Sequence, residues 1–321
     1  MLGKLPTFFG TLFFRPQAAP PSIVGGLALL PPVAAGLLLF RLQAAELLAV
    51  AVLVGGVAEA GTRLLKQPRV DSPLVAAVVA VALVGGAAPL ALAAAAAALA
   101  ALLEPLRARF VPTLRIQVGL IAYAAVLLAS RGAIAAYSRP GTSVLFDEPI
   151  RFWHDFYPSS GAPIDSVRLY VGNVPGPVFA TSLLAVVVGM AWLWYARRLS
   201  LAVLAGAAIG ALAPIAYLGW APVFHLASGP FWFCAGLILA DRRHLPVRVL
   251  GRPLIGLGAG AATIAARGHG FAIEAAPVVS AAIQVLVGAL DGAAWLAVGR
   301  HRPRSSAVVP GRPKGDQAGA R

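Results

Sequence analysis

The sequence predicts an all-α polytopic membrane protein of about ten transmembrane helices, arranged as two inverted five-helix repeats. Three observations carry that prediction. Hydrophobic residues make up 59% of the 321 and charged residues 12%, with a mean hydropathy of +0.82, far from the roughly 25% charged residues of a soluble domain. Apolar blocks close to the ~20 residues a bilayer asks for recur along the chain, separated by arginine-, glycine- and proline-marked turns. The basic residues also alternate in density from one turn to the next.

In chain order, Phe8, Phe9, Phe13 and Phe14 interleave with Lys4 and Arg15, a pattern for a short interfacial segment over 1–20. A signal peptide would need an unbroken apolar run, and Pro6, Arg15 and Pro16 interrupt this one. The first half, 21–137, holds expected spans at about 21–40, 44–61, 73–86, 90–103 and 116–130. The third and fourth are short, so a re-entrant hairpin is their alternative. A connector follows over 138–177. The second half, 178–298, holds spans at about 178–196, 201–220, 222–240, 250–266 and 271–293. Residues 299–321 read as a disordered basic tail.

Ten crossings with the N-terminus in the cytosol put 20 of the 26 lysines and arginines on the cytosolic side. Arg41, Arg131, Arg139, Arg151, Arg168 and Arg267 face outward. This is the bias of the positive-inside rule. It places both termini in the cytosol and the connector outside. Removing one crossing would put every later basic cluster on the wrong side, which favours ten. Two halves of five spans, if repeated, must be inverted, as in many transport folds. The net charge of +14 comes from dispersed residues and a short tail, so it points to lipid headgroups and not to nucleic acid.

The single cysteine, Cys234, excludes an intrachain disulfide and a four-thiolate cluster from this chain alone. His225 is the one histidine within or at the edge of a span, too few for a haem with two axial histidines. It reads as a hydrogen-bonded packing residue near the interface. Trp192, Trp194, Trp220 and Trp232 lie near span ends and read as aromatic-belt anchors. Among the intramembrane acids, Glu46 can snorkel and Glu59 stands four residues before Arg63, an ion-pair spacing. Glu274 and Asp291 are ~25 Å apart along a helix and mark opposite edges of the membrane, whereas Gln284 and Asp291 share a face. Interhelical packing and an ion path are both open for this trio.

The connector is the chain's long polar segment, with Asp147, Glu148, His154, Asp155, the run Ser159, Ser160, Gly161, Ala162, Pro163, and the turn Gly172, Asn173, Val174, Pro175, Gly176. That turn, followed by Thr181, Ser182 and an apolar span, resembles a Gly-Asn-x-x-Gly…Thr-Ser segment of the membrane D subunit of Rnf-type electron transport complexes. That family is related to the B subunit of the sodium-translocating NADH:quinone reductase. His225, Ser228 and Gly229 resemble its His-Leu-x-Ser-Gly, Asp241 stands where it has Thr-Asp-Pro, and Glu274, Gln284 and Asp291 match the spacing of a Glu, Asn and Asp in its last helix. The likeness runs from about 20 to 291.

The resemblance implies an FMN joined by a phosphoester to the threonine of a Ser-Gly-Ala-Thr motif in the connector. Here Ser160, Gly161 and Ala162 stand in register and Pro163 takes the fourth place, with no hydroxyl to esterify. Tyr157 and Ala180 replace two acids usual in the family. An ordinary turn, or attachment through Ser160 or another nearby hydroxyl, is the alternative reading of 159–163. The resemblance therefore implies a subunit of the bacterial cytoplasmic membrane coupling electron transfer to Na⁺ or H⁺ movement, acting with other membrane and flavoprotein subunits. FMN or riboflavin would be held at Ser160, Gly161, Ala162 and Asn173 without the usual bond. A redox-inert anchor, or a transporter- or channel-like relative, is the alternative. No phosphate loop, dinucleotide motif or metal-ligand cluster is present to make it a stand-alone enzyme.

Overall fold

The computed structural model describes residues 5–65, 71–156, 164–245 and 251–300, with side chains from 10 to 292 within those ranges. Its described residues are helical apart from turns and three isolated bridges. Apolar blocks in lipid must satisfy their own backbone groups, and helices do this within one segment.

Helix α1 (Leu5–Phe14) is followed by α2 (Pro21–Phe40), α3 (Leu42–Leu64), α4 (Pro73–Ala82), α5 (Leu90–Phe110) and α6 (Val118–Ala129). In the connector lie α7 (Pro149–Phe156) and α8 (Ser166–Val171). The second half contains α9 (Leu183–Tyr195), α10 (Leu201–Tyr217), α11 (Pro222–Ala227), a π-helix (Phe233–Leu239), α12 (Arg252–Gly268) and α13 (Ala275–Arg300). Four helices, 21–40, 42–64, 90–110 and 275–292 within α13, are long and apolar enough to cross a membrane, and four shorter apolar ones accompany them. The chain is an all-α polytopic membrane protein.

Two expected spans are not continuous helices. The third, 73–86, stops at Ala82, and 83–87 turns and bridges to neighbouring backbone: Gly85 N–H donates to Ile134 O at 3.1 Å and Ala87 N–H to Ala136 O at 3.0 Å, while Val84 O accepts from Val178 N–H at 3.0 Å. The eighth, 222–240, breaks at Ser228, Gly229 and Pro230 and resumes as the π-helix. Its far end pairs across Leu199 and Asp241, with Ser200 N–H donating to Ala240 O and Arg242 N–H to Arg198 O, both at 2.8 Å. Each interruption is the third span of its half. Pairing with neighbouring backbone satisfies the groups that a broken helix would leave bare.

Small residues bring the halves together. A Cβ on Gly189 of α9 would lie 2.3 Å from Ala28 O of α2. Trp192, expected as a belt anchor, donates from Nε1 to Val24 O at 3.1 Å across the same contact, while Trp194 is exposed. Within the second half, α10 and α12 close backbone to backbone, a Cβ on Gly206, Gly210, Gly256 or Gly260 meeting a carbonyl oxygen of the facing helix at 2.1–2.3 Å. This is how helices pack where lipid supplies no hydrophobic drive. The expected pair of Glu59 and Arg63 forms at 3.3 Å, and Ser72 Oγ donates to Glu59 at 2.8 Å.

Candidate functional site

At the connector end of the bundle, the break in the eighth span leaves the last carbonyls of α11 without helical partners. Arg267, at the end of α12, supplies them. Its Nη1 donates to His225 O at 2.5 Å and its Nη2 to Ser228 O at 3.0 Å, and the side chain is fully buried. Gly229 turns the chain there with φ +71, and its bare Cα lets Ile273 approach where a Cβ would sit 2.6 Å from it. Arg267, counted from sequence as a loop charge facing outward, is thus a structural cation inside the protein. Hydropathy cannot distinguish the two roles.

His225 is also buried, but neither ring nitrogen has a hydrogen-bond partner among the described residues. That corrects the expectation of a hydrogen-bonded histidine. Its ring is instead stacked on Trp220, with centroids 4.6 Å apart and planes 21° apart, and meets Trp153 edge-on at 4.9 Å. Trp220 therefore packs inward and is not a belt anchor.

Helix α7 lies over this break. Trp153 inserts into the aromatic group, and His154 Nε2 lies 3.0 Å from Arg267 O. Arg151 faces Glu274 at 3.8 Å. Glu148 caps the helix, accepting from Ile150 N–H at 2.8 Å and Arg151 N–H at 2.7 Å. A carboxylate at a helix N-terminus is favourable, yet burial, reinforced by the nearby Glu274, pushes the Glu148 carboxyl up to about 7. Beside it a cleft of about 430 Å³ is lined by Tyr137, Phe146, Asp147, Glu148, Arg151 and Phe156. Sequence reasoning named Glu148 only as a polar connector residue and Arg267 only as an outward charge, and it did not name Trp153. The one local signal was at Glu148, which precedes Pro149, a residue suited to the first turn of a helix.

The Gly172–Ser182 stretch has a geometric role. Gly172 ends α8 with φ +91, and a Cβ there would lie 2.6 Å from Ser182 Cα. Thr181 Oγ1 donates to Pro177 O, and Ser182 Oγ accepts from Ala185 N–H at 3.3 Å as the cap of α9. Asn173 is exposed, its N–H bonded to Arg168 O at 2.9 Å. Ser160, Gly161, Ala162 and Pro163 lie outside the described residues.

The three polar residues of the last span separate. Glu274 stands just before α13, beside the connector cluster. Gln284 is buried in mid-helix, where its Oε1 accepts from Gln117 N–H at 2.9 Å and its Nε2 has no partner among the described residues. Asp291 is exposed.

The fold and this site define a polytopic membrane protein with two interrupted spans, whose polar connector packs onto the bundle. A family model for the NQR2, RnfD, RnfE family matches residues 23–283. The chain belongs to that family, whose members are membrane subunits of ion-translocating electron transport complexes. A search of the curated proteins finds no match to the chain.

Proposed function

We propose that the chain is an RnfD-like subunit that couples electron transfer to movement of Na⁺ or H⁺ across the bacterial cytoplasmic membrane, with both termini in the cytosol. Partner membrane and flavoprotein subunits supply the other redox groups. The observation that carries this reading is the extent of the family match, which takes in both halves and the connector between them. The placement of the two interruptions in corresponding spans supports an inverted repeat. Glu274, just before α13, and Gln284 and Asp291 within it are the candidates for the ion path.

The phosphoester-linked flavin of the resemblance does not fit this sequence. Pro163 offers no oxygen to a phosphate, so FMN or riboflavin could be held here only without that bond, around Ser160, Gly161, Ala162 and Asn173. This same observation favours a second reading, a redox-inert anchor that keeps the bundle. Purified chain separates the two. Flavin fluorescence of the band on a denaturing gel would mean attachment through Ser160 or another nearby hydroxyl and would contradict the anchor. Flavin released from the native protein by acid supports the electron-carrying subunit, and flavin-free native protein supports the anchor.

A further inference from the structure

The opposite end of the bundle, rich in arginine, holds a buried charge network that the proposed function does not use. Asp71 and Glu104 come from the first half, as does Arg107, whose Nη2 meets Asp71 Oδ2 at 2.8 Å and Glu104 Oε1 at 2.7 Å. Arg198, Asp241 and Arg243 come from the second half. Arg198 pairs with Asp241, and Arg243 crosses to pair with Asp71. Arg107 Nη1 also donates to Leu114 O at 2.7 Å, and Arg198 Nη1 to Pro21 O at 2.7 Å. Three acids thus balance three arginines around the ends of α4, α5, α9 and the π-helix.

Behind this network a cavity of about 30 Å³ lies between the halves, lined by Ser22, Ala76, Gln117, Leu237 and Ile238 among others. That is room for a water or two. Its walls include both interrupted spans. The network is not distributed evenly across the seam. Glu104 and Asp241 each pair with an arginine of their own half, and their side chains are 2% and 4% exposed. Asp71 has an arginine from each half, and the Arg243 side chain keeps 19% of its surface exposed. If the crossing pair opens, Asp71 stays paired with Arg107, and Arg243, already part-exposed, stays beside Asp241, to which its backbone N–H donates at 3.1 Å. No buried charge is stranded, which is the outcome that makes breaking most buried ion pairs costly.

We propose that the Asp71–Arg243 pair is a clasp closing the cavity between the two halves at the arginine end, and that its release opens the seam between α4 and the π-helix to water. The flanking pairs, Arg107–Glu104 and Arg198–Asp241, stay formed while the crossing pair exchanges, and Arg198 keeps its bond to Pro21 O across the halves.

The test uses the full chain in detergent with Cys234→Ala, so that an introduced cysteine is the only thiol. Ala76→Cys reports from the cavity wall, and Ser280→Cys, buried in α13 away from the cavity, reports general loosening. A cationic thiosulfonate reagent is added and the modification rate read by mass. The clasp requires Ala76→Cys to react about tenfold faster with Arg243→Gln or Asp71→Asn, as expected for a shift toward the open state. Ser280→Cys should stay slow throughout, and Arg243→Lys, which keeps the charge, should keep Ala76→Cys protected. The proposal is overturned if Ala76→Cys is no faster in either variant, if Ser280→Cys accelerates equally, or if Arg243→Lys opens the cavity as far as Arg243→Gln.

Discussion

Arg267 and His225 meet through the backbone: the guanidinium of one donates at 2.5 Å to the carbonyl oxygen of the other, at the point where the eighth span breaks. The imidazole of His225 takes no part in the bond and packs against the rings of Trp220 and Trp153. One residue thus supports the break while the other fills the space above it.

Replacing Arg267 with Ala removes both donors from the carbonyls of His225 and Ser228. Two buried acceptors left bare should cost about 2–6 kcal/mol. A thermal melt in detergent is expected to show a clear fall, and Arg267→Lys, which retains a donor and the charge, should fall less.

The Glu148 carboxyl gives the protein a pH dependence with a defined sign. Its folded-state value is about 7 against an ordinary 4.5, so the folded protein binds more protons than the unfolded one between those values. The stability it contributes is greatest at the acid end and declines as pH rises from about 4.5 to 7, by about 3 kcal/mol in all. Denaturation followed across that range should show the decline, and Glu148→Gln should flatten it.

Gly172→Ala and Gly141→Ala separate steric demand from backbone preference. Both glycines have positive φ, +91 and +75, but only at Gly172 would the new Cβ meet Ser182, while Gly141 faces open space. Gly141→Ala should therefore lose about 1–2 kcal/mol from the left-handed backbone alone. Gly172→Ala should lose more, seen as a lower melting temperature and poorer recovery from membranes.

Gln284→Leu and Asp291→Asn divide the roles along α13. Gln284→Leu leaves Gln117 N–H without its acceptor and should destabilise by about 1–3 kcal/mol. Asp291→Asn, at an exposed position, should leave the melt unchanged within about 0.5 kcal/mol. An effect of Asp291→Asn on ion movement without a change in stability would place it on the ion path.

Much of the fold was legible because lipid imposes a simple rule. Runs such as 21–40 and 42–64 are apolar for the length of a bilayer, and they form the helices expected of them. The interruptions were harder to read. Gly85, Gly86 and Pro89 marked the end of the third span, but Ser228, Gly229 and Pro230 sit between apolar residues inside one expected span, 222–240. A break inside protein differs from a break in a loop only through its partners, and those are distant in sequence: Arg267 for His225, Val178 for Val84. The same limit hid the site. Glu274 could be picked out as an acid near a span, whereas Glu148 and Arg267 belong to the cluster only because α7 folds back over α11. The chemistry of position 163 was legible without any structure, since proline has no hydroxyl wherever it lies.

Ion uptake into inverted membrane vesicles tests the central claim most directly, comparing cells that carry the chain with cells that lack it, with NADH or reduced ferredoxin as electron source. The account predicts that uptake of Na⁺ or H⁺ driven by one of these reductants disappears without the chain and returns when it is re-expressed. Reductant-driven uptake that is the same with and without it would contradict the account.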